Sequence, residues 1–268
     1  MCVIAPQELG STDLTMTINF KLMILILALN LSGQVHTGEI IGGKKVALHG
    51  RPYMVLVETH VQTGNQTGKP SYCGGFILNA EFVMTAAHCQ PNHFRSHTVW
   101  LGFNKYSNRN MSIPVEKSIP RKDFNATDCR NDMMLLKLSS KVNFSQDVRP
   151  IALAGEDDDF LPKSCSVSGW GSTNSNGKRM SHVLMEANVT IIASEKCPKE
   201  NSYCSEGETG PYTGDSGGPL VCEDGKAYGV VSAGKESGQL LRSYTKIPDY
   251  RSWIDMIMKN PENALILG

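Results

Sequence analysis

The stretch TGDSGGP, residues 213–219, sets one serine, Ser216, among Gly214, Gly217 and Gly218. Gly, Asp and Ser are common turn residues, so a plain polar turn is one reading. The run also fits the G-x-S-x-G pattern of a nucleophile elbow through Gly214, Ser216 and Gly218. An elbow needs its histidine after the serine in chain order. The histidines stand at 36, 49, 60, 88, 93, 97 and 182, all before Ser216, so the elbow fails on order. A third reading is a serine served by a base and a buried carboxylate from upstream. A hydroxyl is a poor nucleophile at neutral pH without them.

The rest of the chain sets the context for that serine. Its 268 residues allow one large domain or two small ones. A hydrophobic content of 40% and moderate charge indicate a packed soluble globule. Basic and acidic residues balance at 26 each, which gives no sign of a nucleic-acid partner. Residues 22–31, LMILILALNL, follow Lys21. A membrane span needs roughly 20 apolar residues, so this run predicts no span and fits the core of a secretory signal peptide. A buried strand or helix is the alternative. Met16 would be a better start, with residues 1–15 an upstream extension, and Val35-His36-Thr37 offers small residues for cleavage. The expected organisation is a signal segment at 1–37, a Gly38-Glu39 stub and a domain over 40–268. On a secretory route, the sequons at Asn65, Asn110, Asn125, Asn143 and Asn188 are glycan acceptors. Disulfides are then the default for the eight cysteines, of which seven remain once Cys2 is removed.

After residue 39 the pattern is one of short strands. Cys73–Leu78 and Phe82–Thr85 are two, and Met133–Leu138 is apolar enough to be buried on both faces. Met185, Ala187, Val189 and Ile191 alternate with polar residues. Pro219–Cys222 and Ala227–Ala233 flank Asp224-Gly225, a hairpin signal. Only Tyr250, Trp253, Ile254, Ile257 and Met258 follow a helical period, with Asp249 as the N-cap and Pro261 beyond the end. Many short strands without alternating helices predict an all-β barrel or sandwich.

The missing partners stand upstream. MTAAHC (84–89) carries His88, and RNDMMLLKL (130–138) places Asp132 at the mouth of an apolar strand. The order His, Asp, Ser is a known triad order. At this point the sequence resembles the chymotrypsin-fold serine proteases. The shared motifs are IIGG (40–43), CGGFIL (73–78), TAAHC (85–89), NDMMLLKL (131–138), SGWG (168–171), GDSGGPLVC (214–222) and VSAG (231–234), in the family's order. The resemblance implies two six-stranded antiparallel β-barrels, a C-terminal α-helix and a site in the cleft between the barrels. It implies His88 as general base, Asp132 as its orienter and Ser216 as nucleophile, with the N–H groups of Gly214 and Ser216 as oxyanion hole. It implies a new amine at Ile40, exposed by cleavage after Glu39, that pairs with Asp215. It also implies disulfides Cys73–Cys89, Cys165–Cys222 and Cys197–Cys204, which leave Cys129 outside the pairing. The Gly38-Glu39 stub, RPYMV (51–55) and the lack of a cysteine at Tyr212 are similar to granzymes and mast-cell chymases. Those enzymes are trimmed by a dipeptidyl peptidase, stored in granules, restrained by serpins and active as monomers on protein or peptide substrates; no cofactor is implied.

Other readings compete at several residues. Cys73, His88, Cys89, His93 and His97 contain the ligands of a Cys2His2 zinc site, against which secreted cysteines favour disulfides. Asp157-Asp158-Asp159 lacks the glycine and distal glutamate of a calcium loop and reads as a solvated acidic turn. Only Lys21 among basic residues, and Glu8, Asp13 and Glu39 among acidic ones, precede Ile40, so the trimmed chain has 25 basic and 23 acidic residues, a net +2. That surface is weakly suited to proteoglycan packing. Six before Ser216 is Gly210, where trypsin-like members carry aspartate, so cleavage after Lys or Arg is not expected. Ser232-Ala233-Gly234 should pair with substrate backbone, with Gly234 leaving the entrance open. Arg242 matches the arginine that binds acidic side chains in granzyme B-like enzymes, and a guanidinium suits a carboxylate. Cleavage after Asp is therefore expected. The alternative is an outward-turned Arg242 and an apolar pocket for Phe, Leu or Met. A protease homologue that only binds is the reading from a different class. Shortened spans between Cys197 and Cys204, and from Cys204 to Ser216, fall in the loops that build this pocket.

Overall fold

Continuous and alternating apolar runs become strands in the computed structural model, which describes residues 40, 42–63, 66–158, 162–172, 180–192, 197, 200–236 and 239–262. The expected signal segment, Gly38-Glu39, Asn65 and Asp159 lie outside the described residues.

The first sheet contains β2 (Met54–Thr63), β3 (Gln66–Thr67), β4 (Ser71–Ile77), β5 (Phe82–Thr85), β6 (Phe94–Leu101), β7 (Met111–Pro120) and β8 (Met134–Leu138). A preceding two-residue strand, β1 (Lys44–Lys45), belongs to the other sheet. The order β2-β4-β5-β8-β7-β6 closes on itself, because β6 pairs back onto β2 from Val55↔Leu101 to Val61↔Phe94. Phe76, Phe82, Met84, Leu101 and Leu135 fill this barrel and are essentially inaccessible to solvent. The near-continuous apolar run on β8 follows from burial of both its faces.

The second sheet adds β9 (Ser164–Gly169), β10 (Met185–Thr190), β11 (Ser202–Glu206), β12 (Pro219–Cys222), β13 (Ala227–Glu236) and β14 (Gln239–Lys246), in the order β1-β10-β9-β12-β13-β14-β11. On β10, Met185, Ala187 and Val189 point inward while Asn188 and Thr190 face solvent, as the alternation predicts. Leu220, Tyr228, Tyr244 and Ile40 are fully buried in its core. Two barrels were expected, and the first closes while the second is a half-barrel. The five residues of β11 pair along β14, and among the described residues the bridge from Ser205 to Ile191, beyond the end of β10, is what spans the seam.

The one α-helix among the described residues, α1, runs Arg251–Lys259 and buries Ile254 and Ile257. Its expected N-cap is corrected. Pro248–Tyr250 form a tight 3-10 turn and Tyr250 holds the cap position without a side-chain bond. Asp249 lies 3.8 Å from Lys246 Nζ instead. The Arg121 guanidinium sits over the rings of Tyr250 and Trp253 and fastens this end to the first barrel. Disulfides join Cys73 to Cys89, Cys165 to Cys222 and Cys197 to Cys204.

Candidate active site

His88 lies on the 3-10 turn Ala87–Cys89 that follows β5, and the Cys73–Cys89 disulfide ties that turn to β4. Its backbone N–H donates to Asp132 Oδ1 at 2.9 Å, and its Nδ1 donates to Asp132 Oδ2 at 2.7 Å. With Nδ1 facing a carboxylate, the other ring nitrogen is left to accept a proton. Asp132 precedes β8 and is completely buried. Ser232 Oγ donates to its Oδ2 at 2.6 Å, and Thr245 Oγ1 donates to its backbone carbonyl at 3.2 Å. A buried carboxylate with three donors holds the imidazole in one orientation.

Ser216 is brought to this pair by the docking of one sheet on the other. The Gly74 N–H of β4 donates to the Ser216 carbonyl at 2.7 Å, and Thr85 Oγ1 donates to the Gly74 carbonyl at 2.8 Å. This approach requires glycine. Gly217 has φ +83°, and a Cβ there would lie 2.1 Å from Thr85 Oγ1 and 2.4 Å from the Gly74 carbonyl. Ser216 and His88 line one cavity of about 540 Å³, together with Gly214, Thr213, Tyr212, Ser232 and the Cys73–Cys89 edge. Gly214 has φ +99°. The Thr213 carbonyl is turned to the Ser172 N–H at 2.7 Å, and the N–H groups of Gly214 and Ser216 have no acceptor among the described residues. Two free donors beside a serine hydroxyl are the arrangement that binds an oxyanion.

Asp215 points away from the cavity and is buried. Its Oδ1 accepts from the Gly171 N–H at 2.8 Å and its Oδ2 from the Tyr212 N–H at 2.9 Å. Burial pushes its carboxyl up to about 6, partly offset by these two donors. A Cβ on Gly171 would lie 2.4 Å from the Asp215 carboxyl carbon, so SGWG supplies the space this side chain occupies. Ile40 is buried in the second core, and no hydrogen bond or ion pair joins it to Asp215 among the described residues.

Arg242, 3% exposed, lies against Gly210 rather than among the residues lining the cavity. Its guanidinium donates to the carbonyls of Pro211 at 3.0 Å, Gly207 at 2.5 Å and Glu208 at 3.2 Å. Desolvation lowers its pKa from the usual arginine value. Gly234 pairs with Arg242 across β13 and β14.

The sequence singled out Ser232 for substrate backbone only; its bond to Asp132, and the parts played by Thr245, Thr85 and Gly74, went unseen. Of those, Gly74 alone left a signal, in the paired glycines of CGGFIL. Cys73, His88 and Cys89 bring potential metal-ligand atoms within 4.8 Å of one another, but the two sulfurs are bonded to each other. His97 is buried elsewhere, with Nδ1 3.0 Å from Thr59 Oγ1. Asp158 accepts from Lys226 Nζ at 2.8 Å and from the Gly155 N–H, which closes the acidic turn on itself.

Comparison with known proteins agrees with this geometry. Residues 40–254 match the family described as Trypsin. Mouse (Mus musculus) granzyme B(G,H) is 36% identical over 255 residues, covering 90% of this chain and 99% of that protein. Mouse granzyme E is 39% identical, covering 88% and 98%. A solved structure of GrC, granzyme C, superposes with a TM-score of 0.73 at 35% identity, covering 82% of this chain and all of that one. With this fold, this cleft and these relatives, the chain belongs to the trypsin family and is a serine endopeptidase related to the granzymes and mast-cell proteases.

Proposed function

We propose that Ser216 attacks the scissile carbonyl, with His88 taking its proton and Asp132 holding His88. The Gly214 and Ser216 N–H groups take up the developing oxyanion, each worth about 3 kcal/mol in such sites. His88 then protonates the leaving amine, and water resolves the acyl-enzyme by the same route in reverse. The observation that carries this reading is the pair of buried Asp132 and partly exposed His88, which opens onto the cavity that Ser216 lines. Ser216→Ala should abolish peptide cleavage and labelling by a serine-directed phosphonate, while the thermal melt stays near that of the wild type. Labelling at another residue would overturn the assignment.

Activation belongs to the same proposal. Trimming of Gly38-Glu39 by a dipeptidyl peptidase would give Ile40 a free ammonium, and Asp215 is the buried carboxylate able to receive it. An ion pair there would reverse the upward shift that burial imposes on Asp215. The chain would then act in a secretory granule or outside the cell, on protein or peptide substrates, as a monomer open to serpins. Among the described residues no helix is long and apolar enough to cross a membrane. Asn110, Asn143 and Asn188 are exposed and Asn125 half-buried, which leaves these sequons within reach of glycosylation.

For specificity we favour cleavage after Asp. Arg242 packs behind Gly210, and its fork is already held by oxygen acceptors that a substrate carboxylate could replace. The same bonds support a second reading. If the guanidinium stays on the carbonyls of 207–211, the pocket accepts Phe, Leu or Met. A peptide-library profile of the chain trimmed to Ile40 separates the two: dominant cleavage after Asp, lost in Arg242→Gln, supports the first, and cleavage after Leu or Phe supports the second.

A further inference from the structure

Beyond His88 the cavity continues past the Cys73–Cys89 disulfide to Ser71, Tyr72 and Pro91. If, as expected, the acyl half of a substrate pairs along Ser232, which lines the cavity too, this end would receive the half that leaves. Tyr72 stands there with a group of side chains that the triad does not use. Across the β2–β4 ladder it pairs with Glu58, and its Oη donates to Glu58 Oε1 at 3.3 Å. Trp100 Nε1 donates to the other oxygen, Oε2, at 2.6 Å. Tyr106 meets the Tyr72 ring edge-on, at 6.1 Å and 83°. Its own N–H is anchored on the His182 carbonyl at 2.8 Å. Arg109 closes the group, its guanidinium carbon 3.8 Å from the Tyr106 ring centre and 4.7 Å from that of Trp100. Arg109 Nε and one terminal nitrogen, Nη1, are buried without an acceptor among the described residues, and the guanidinium is held by the aromatic faces and by its polar contact with the Tyr72 hydroxyl.

We propose that Arg109 is a positioning residue for leaving-group specificity: stacked on Trp100 and Tyr106, it fixes Tyr72 as a rigid wall that selects an apolar side chain on the departing peptide. The inference rests on Ser216 and His88 as nucleophile and base. The wall and its surroundings — the Tyr72 ring, the disulfide and Pro91 — are apolar, with Ser71 at their edge. Without Arg109 the cluster would keep a carboxylate but lose its cation, and the ring would lose its fixed orientation.

Acyl transfer tests this directly. The chain trimmed to Ile40 is acylated by a peptide thiobenzyl ester, ending in whichever of Asp or Leu turns over. Amino-acid amides then compete with water for the acyl-enzyme. The amine attacks the Ser216 ester carbonyl, the C–O bond to Oγ breaks, and the amine's proton passes through His88 to Oγ as the peptide bond forms. The ratio of capture by leucine amide to capture by glutamine amide, a neutral polar probe on which the change of charge does not act, is internal to one reaction and does not depend on how much enzyme is folded. We expect about tenfold in favour of leucine amide, the scale of discrimination an apolar pocket provides. Arg109→Met should bring the ratio within about twofold, and Arg109→Lys, which keeps a cation over the rings, should retain most of it. An unchanged ratio in Arg109→Met, or no preference in the wild type, overturns the proposal. A wild-type chain that hydrolyses no ester and takes no phosphonate label overturns the proteolytic reading beneath it, a failure visible before any amine is added.

Discussion

Asp132 accepts from the His88 N–H, from His88 Nδ1 and from Ser232 Oγ, all without water. Removing the charge but not the shape should therefore cost activity and little else. Asp132→Asn is expected to lower kcat by about 10⁴, as wrong-tautomer variants of this constellation do. Ser232→Ala tests a different term. It deprives a buried carboxylate of a charge-assisted bond, so stability should fall by about 2 kcal/mol in urea titration, with peptide turnover reduced but present. The residues we propose to carry the chemistry each sit in a short motif, which is why the sequence singles them out. The ones that hold them were not legible, because Ser232 and Thr245 reach Asp132 from about 100 positions away in sequence.

Strands were read well where the pattern is local. Phe82–Thr85 and Pro219–Cys222 appear with the expected bounds, since apolar runs between turn residues leave the chain few options. The helix start was misread because the Pro248–Tyr250 turn and the Arg121 stack fix it through tertiary contacts. Closure of the first barrel and the half-closure of the second depend on register between distant strands, which no local period encodes. Two element-level expectations follow. Cys165 and Cys222 face each other across β9 and β12, 57 positions apart, and removing that bridge should cost about 4 kcal/mol by loop entropy. Gly217→Ala should block the docking of the nucleophile turn on β4 and abolish activity even if circular dichroism keeps its β signature, because backbone and Thr85 leave the methyl no space.

For the whole molecule, two buried groups pull stability in opposite directions on acidification. His97 is held down to about 4 from 6.5 by burial, with a further push from His60. Its contribution is intact above about pH 6.5 and is lost as pH falls toward 4, a change of about 3 kcal/mol. Asp215, raised to about 6 from 3.8, contributes below pH 3.8 and loses that contribution as pH rises through 6, again about 3 kcal/mol. In the untrimmed chain the two nearly cancel between pH 4 and 6. Once an Ile40 ammonium pairs with Asp215, only the His97 slope remains. Urea midpoints at pH 7 and pH 4.5 should therefore differ far more for the trimmed protein than for its precursor, and His97→Gln should remove most of that difference. The bridge between Ile191 and Ser205, the one pairing across this seam among the described residues, carries its own implication. A zipper with one tooth opens before any ladder does, so amide exchange should be fastest along β11 and spread into 207–211, where Arg242 is moored. Warming would then blur what the enzyme selects well before it harms how fast it cuts.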